Sequence, residues 1–294
     1  MQEDSTASTP CSACGATSEL LRCCGYISHV RLFYGASDRG AWAMGSDHIL
    51  KERPAKLPMD EGANLKFLKE NTTIPVPKIL NEWVDSGGRY FILMERIKGK
   101  TLEEAWPTMS TADRERIAEQ TAEYLVQLRK LQSPRMQSLA GGPVFDAFLD
   151  MGSDTYTPHG PISSDDGLWE DMATGLEKLP ERARAGLRKR MPAVGPFTFT
   201  HGDLTNVNII VNDDGNLAGI IDWEWSGFFP AWWEFAVSSM AHSQSDAEWK
   251  ALLRGCMGNQ YSEGRQFWRS LWFVHRYPDL DETGQSTLSE LLEE

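Results

Sequence analysis

The segment His201-Gly202-Asp203-Leu204-Thr205-Asn206-Val207-Asn208-Ile209-Ile210-Val211 passes from a polar loop into a β-branched run. Leu217–Trp223 answers it across Asp213-Asp214-Gly215-Asn216, residue types that favour a tight turn, so residues 208–223 are expected to form a β-hairpin. Pairing of the two strands brings Asn208 and Asp222 to the same end, with Asp203 just ahead of the first strand. An acid that closes the apolar run Ala218-Gly219-Ile220-Ile221 is costly to bury unless positive charge meets it. Hard oxygen donors without cysteine or paired histidine suit Mg2+, which keeps several waters and shares its shell with phosphates. Asp203 would then accept a hydrogen bond from a substrate hydroxyl and hold it in line with a γ-phosphate.

Working outward, Phe197–Thr200 alternates like a short strand, and Leu168–Arg190 reads as one partly amphipathic helix after a loop over residues 133–165. Further upstream, Ser110-x-x-Asp113 and Thr101-x-x-Glu104 are capping-box patterns, so helices take over after Gly99. Ile117, Thr121, Tyr124, Leu128 and Leu131 lay one stripe along the second of them. Before Gly99 the pattern is β-type. His29–Tyr34, Ala41–Met44 and His48–Lys51 read as strands, as do Ile79–Val84 and Arg89–Met94 across Asp85-Ser86-Gly87-Gly88. One helix, Met59–Lys69, interrupts them and is stopped by Thr-Thr-Ile-Pro-Val-Pro. The fold class is therefore α+β, with residues 28–97 as a small antiparallel β lobe with one helix and 98–294 as a larger, mainly helical lobe. Residues 1–27 lack apolar periodicity and read as a disordered leader.

The 294 residues carry 42 acidic and 29 basic side chains, a net charge of −13, opposite to what a duplex-binding protein needs. Nucleic acid is excluded as a partner on that ground. No apolar run has the roughly 18 residues of a membrane span, so a soluble cytoplasmic protein is expected. Cys11, Cys14, Cys23 and Cys24 crowd the N-terminus without the gap or histidine of a zinc finger and read as reduced thiols. Cys256 and the tryptophans at 223, 225, 232 and 233 read as packing.

The run from His201 to Val211, with Gly219-Ile220-Ile221-Asp222-Trp223-Glu224-Trp225 after it, resembles the catalytic loop and metal-binding segment of the aminoglycoside phosphotransferase and choline kinase-like family, which shares the protein-kinase fold. The resemblance spans roughly residues 31–273. It implies ATP and Mg2+ as cofactors, Asp203 as the catalytic residue that orients the acceptor hydroxyl, and Asn208 and Asp222 as metal ligands. It also implies Lys51 as the lysine that contacts the α- and β-phosphates, with Glu61 as its ion-pair partner. Backbone groups of Glu95 and Ile97 would meet adenine. His201 would hold the loop's shape, and Glu234, in Pro230-Ala231-Trp232-Trp233-Glu234-Phe235, would brace it from beneath. Thr-Ile-Pro-Val-Pro and the tryptophan-rich stretch are most similar to fungal members. The turn Gly35-Ala36-Ser37-Asp38-Arg39-Gly40 fits neither G-x-G-x-x-G nor G-x-x-x-x-G-K-[ST], so phosphate grip would rest on Lys51 and metal. Thr205-Asn206-Val207 departs from the family's filler, and Asn206 receives no role.

The resemblance thus implies a small-molecule kinase acting on a hydroxylated substrate. Asp146, Asp150, Asp165, Asp166 and Glu170 offer negative charge that would suit a cationic amine, although the same stretch would also serve as solvated loop. The alternatives are a catalytically silent nucleotide-binding module of the same fold and a metal-dependent hydrolase, the latter lacking any His-Glu-x-x-His motif. The residues leave the oligomeric state open.

Overall fold

The structure, a computed structural model, describes residues 30–36, 38–55, 60–151 and 157–293. The leader, its four cysteines, His29, Ser37 and Met59 lie outside these residues. The described residues divide into two compact units, one holding those up to Gly62 with Pro77–Ile97, the other Ala63–Val76 with those from Lys98 onward.

The first unit is built on one antiparallel sheet. Its strands are β1 (Val30–Ala36), β2 (Arg39–Met44) and β3 (His48–Pro54), then β4 (Ile79–Val84) and β5 (Arg89–Glu95), in the order β1-β2-β3-β5-β4. Gly35 pairs with Gly40 and Ala36 with Arg39 at the first hairpin, and Lys51 lies opposite Ile92 in the middle of the sheet. Alternation along β5 buries Tyr90, Ile92 and Met94 on one face. Helix α1 (Glu61–Asn71) begins in this unit and continues in the second.

In the second unit α1 buries Leu65 and Leu68 and sets Phe67 at 5.2 Å, ring centre to ring centre, from Phe199. β6 (Lys100–Thr101) leads into α2 (Leu102–Ala105), where both bonds of the capping box between Thr101 and Glu104 are made. The helix stops after four residues because Trp106-Pro107-Thr108 tightens into a 3-10 turn. α3 (Thr111–Leu128) is capped by Ser110 and buries Ile117, Thr121, Leu125 and Leu128. β7 (Gln132–Ser133) follows, and then the loop expected from residue 133 onward.

The single helix expected over 168–190 is two, α4 (Asp165–Met172) and α5 (Glu181–Arg190). Gly175 at φ +90° and Pro180 at the N-cap of α5 break the run. β8 (Phe197–Thr200), β9 (Ile209–Val211), β10 (Leu217–Ile220) and β11 (Gly227–Pro230) then form two three-stranded sheets, β10-β9-β6 and β11-β8-β7. All four residues of β8 are buried. The chain ends in α6 (Trp233–Val237), α7 (Gln244–Met257), α8 (Ser262–Val274) and α9 (Glu282–Glu293). Trp223, Trp232 and Trp233 are buried, whereas Cys256 is exposed on α7 and takes no part in the packing assigned to it. No helix among the described residues is long and apolar enough to cross a membrane.

Candidate active site

The hairpin of β9 and β10 forms as the turn residues dictate, with Gly215 in the left-handed region at φ +70°. Ile220 pairs with Ile209, and the Ile221 amide donates to the Asn208 carbonyl at 3.0 Å, so Asn208 and Asp222 stand at one end of the hairpin. Ile220 in turn donates to the carbonyl of Pro75, in the proline stretch after α1. Asn64 on α1 donates from Nδ2 to the Trp223 carbonyl at 2.9 Å and fixes the chain just past Asp222.

The loop ahead of β9 is held from three sides. Glu234, at the start of α6, accepts the His201 amide at 2.8 Å and the Gly202 amide at 3.3 Å on Oε2. Burial pushes its carboxyl up to about 7, against the pull of those two N–H groups. Gly202 takes φ +87°, a conformation that lets the backbone turn between these bonds. Inside the loop, His201 accepts the Asp203 amide on Nδ1 at 3.1 Å, so its Nε2 carries the proton and donates to the Ile221 carbonyl at 2.9 Å. Bonded at both ring nitrogens and fully buried, the imidazole ties the loop to the end of the hairpin.

The third support comes from α7. Asp246 accepts the Asn206 amide at 3.0 Å and the His242 amide at 3.1 Å, and pairs with Lys250 at 3.1 Å. Asn206 also donates from Nδ2 to Ser245 Oγ at 3.1 Å, and Trp249 donates to the Leu204 carbonyl at 3.0 Å. Asn206 is therefore the loop's anchor to α7. Asp246 and Lys250 are almost fully buried, and sequence reading missed both because an Asp-Lys pair one turn apart looks like an ordinary solvated helix face.

Asp203 sits at the centre of these supports. Asn208 Nδ2 donates to its carbonyl at 2.9 Å and to its Oδ2 at 3.1 Å. Oδ1 is buried and has no hydrogen-bond partner among the described residues. Burial raises the Asp203 carboxyl to about 6, with Lys250 pulling it down and Asp222 pushing it up. Beside it is a small cavity lined by Gly202, Leu204, Glu234, Ser238 and Lys250. An unpaired carboxylate oxygen at a cavity is an acceptor in want of a donor, the role a substrate hydroxyl fills.

Donating its amide nitrogen to Asp203 turns the Asn208 amide oxygen away from that residue. Asp222 is in the left-handed region at φ +66°, a conformation that costs a non-glycine residue energy and concentrates at functional sites. A carboxylate oxygen of the buried Glu224 comes within 4.8 Å of one from Asp222. The donor set of amide and two carboxylates is all oxygen and fits Mg2+. Within the segment Gly219–Trp225 the sequence marks no role for Glu224, and the structure brings it to Asp222.

In the first unit, Lys51 Nζ reaches both carboxylate oxygens of Glu61 at 2.8 Å, and Glu61 is only 2% exposed. At the end of β5 the Glu95 amide is committed to the Lys78 carbonyl at 2.8 Å, so that amide is not available to a ligand. The Ile97 backbone makes no hydrogen bond among the described residues.

The acids expected to attract a cation are mostly engaged elsewhere. Asp146 is buried, accepts from the Phe148 amide at 2.7 Å and from Trp233 Nε1 at 3.0 Å, and is raised to about 6 by burial. Asp150 and Asp171 flank His159 at 3.3 and 2.7 Å. Asp165 accepts the Val194 amide at 2.9 Å, and Asp166 meets Arg188 at 2.7 Å.

The pattern described as the phosphotransferase enzyme family matches residues 39–270. The chain belongs to that family. Among solved structures, the phosphotransferase resembles the streptomycin–ATP ternary complex of APH(2")-IIa, with 15% identity, a TM-score of 0.54 and coverage of 94% of this chain and 95% of the other. A thermostable mutant of aminoglycoside phosphotransferase APH(4)-Ia, in its apo form, gives 13%, 0.57, 94% and 98%. The GDP complex of wild-type aminoglycoside 2'-phosphotransferase-IIIa gives 15%, 0.51, 92% and 94%. At such identities the likeness shows the fold, which is α+β and protein-kinase-like, as the sequence led us to expect. No curated protein sequence matches the chain.

Proposed function

We propose that this phosphotransferase moves the γ-phosphate of ATP to a hydroxyl group of a small molecule in a Mg2+-dependent reaction. The observation that carries the proposal is the buried, unpartnered Oδ1 of Asp203 at the cavity. Family membership and the ATP held by one structural neighbour support the same reading. In it, residues 28–97 serve the nucleotide and 98–294 serve catalysis and the acceptor. Lys51, steadied by Glu61, meets the nucleotide phosphates, and the Glu95 carbonyl and Ile97 backbone meet the adenine edge. Asn208 and Asp222, with Glu224 beside them, hold the metal, which neutralises phosphate charge when bound.

Asp203 accepts the hydrogen bond of the acceptor hydroxyl and fixes its line of approach, while His201, Glu234 and Asn206 keep the loop from shifting. Because the transition state of phosphoryl transfer is loose, positioning contributes more than proton removal. The resemblance to fungal members and the cytoplasm as the working compartment belong to the same proposal.

Phosphoryl transfer from γ-labelled ATP to a panel of hydroxylated amines, acids and sugars tests it. Asp203→Asn is expected to cut turnover at least about 100-fold while nucleotide affinity, read by calorimetry with AMP-PNP and Mg2+, stays within about threefold. Full turnover in that variant would remove Asp203 from the reaction.

A further inference from the structure

The acids of the 133–170 stretch are largely tied up in caps and ion pairs, and positive charge gathers in the same unit instead. On α7, Arg254 follows Lys250 by one turn; on α8, Arg269 follows Arg265 by the same interval. Arg254 Nη1 donates to the Ser238 carbonyl, and Arg265 Nε donates to Ser239 Oγ at 2.8 Å. Two successive residues thus draw guanidinium groups from α7 and α8 to one place, and Arg269 lies one turn along from Arg265 with its Cζ 5.3 Å from the Phe273 ring centre.

All three arginines are half-buried, and none has a carboxylate within ion-pair distance among the described residues. Burial, with repulsion from Arg265 and Arg269, holds Arg254 below the usual guanidinium range, and burial with Arg269 does the same to Arg265. In a chain with 42 acids against 29 bases, like charges left together without a counter-ion are a cost that an anion would remove. The patch also adjoins the reaction centre. Ser238, which Arg254 grips, and Lys250, one turn before it, both line the cavity beside Asp203.

We propose that Arg254, Arg265 and Arg269 bind a carboxylate or phosphate group of the acceptor, which makes the acceptor a hydroxylated anion and not a cationic amine. This rests on the phosphotransferase reading for the word acceptor, but the anion site can be tested without turnover. Calorimetry on the full chain with AMP-PNP and Mg2+ present would use inorganic phosphate as the simplest probe. Glycerol 3-phosphate against glycerol, and gluconate against glucose, separate the phosphate and carboxylate versions.

Inorganic phosphate is expected to saturate one site beyond the nucleotide, and R254Q/R265Q/R269Q to weaken it at least tenfold. R269Q, which removes no hydrogen bond identified in the structure, should weaken it severalfold with an unchanged thermal midpoint. Anion binding without labelled phosphoryl transfer would leave the anion site standing and count against the kinase reading. Transfer to choline or an aminoglycoside with KM unchanged in R269Q would do the reverse. If phosphate shows no saturable binding, or binds wild type and the triple variant alike, the proposal is wrong.

Discussion

Glu234→Gln isolates what a buried charge costs at the catalytic loop. One carboxylate oxygen, Oε2, accepts both loop amides, so the glutamine carbonyl can keep both bonds while the charge is lost. In wild type the carboxyl is raised from 4.5 to about 7, chiefly by burial. A group whose folded pKa lies above its unfolded value contributes full stability below the unfolded value and loses it as pH rises through the folded one. The shift corresponds to about 3 kcal/mol above pH 7, and to about 2 kcal/mol of the change between pH 5 and pH 8. Glutamine has no such slope. Urea unfolding of both proteins at pH 5, 6, 7 and 8, followed by tryptophan emission with chelator present, should show the variant gaining on wild type by about 2 kcal/mol across that range. Glu234→Ala sets the lower reference, since two buried amides lose their acceptor at about 1–3 kcal/mol each. Parallel pH curves for wild type and glutamine, or a glutamine variant as unstable as alanine, would refute the reasoning.

Asp246→Ala should destabilise by about 3–5 kcal/mol in urea unfolding, because it leaves Lys250 buried without its counter-charge, whereas Asn206→Ala loses one side-chain bond and should cost about 1 kcal/mol. Lys250→Met removes the positive charge that pulls the Asp203 carboxyl down, so the acidic limb of the kcat/KM profile is expected to move to higher pH; a limb that stays in place would show that the two groups do not sense each other. Gly99→Ala puts a Cβ at 2.2 Å from the Val211 carbonyl oxygen, in a backbone at φ +137°, and should lower the thermal midpoint by several degrees in a melting scan.

Local signals carried far. The β9–β10 turn, the capping box at Thr101, the N-cap at Ser110 and most of the stripe along α3 are short-range patterns that formed where their residues pointed, although Tyr124 is only half-buried and Leu131 lies past the helix end. Most of the failures have their cause in tertiary context. Nothing local distinguishes Asp246 and Lys250 from a solvated pair, and their burial depends on Leu204 and Asn206 arriving from the catalytic loop. The acids at 146, 150, 165 and 166 carried negative charge in a loop, which suggested a ligand. Long-range partners such as Trp233, Arg188 and the Val194 amide took them instead. Leu168–Arg190 was misread for a more local reason, because its amphipathic ends outweighed Gly175 and Pro180 between them.

One helix face now joins observations that the sequence kept apart. Along α7, Asp246 grips the catalytic loop, Lys250 reaches the cavity of Asp203, and Arg254 ties to Ser238 beyond it, each one turn after the last. Successive turns therefore differ in what they meet: loop backbone, the cavity beside Asp203, then the Ser238 carbonyl. A substitution at Asp246 should act through stability, one at Lys250 through the pH dependence of Asp203, and one at Arg254 through whatever meets the rim. Asp246 and Lys250 share a buried ion pair, so changes at both should move unfolding, but only Lys250 should also move the pH profile and only Arg254 the acceptor KM. Loss of that separation, with all three changes moving only stability, would mean that α7 is scaffold along its whole length.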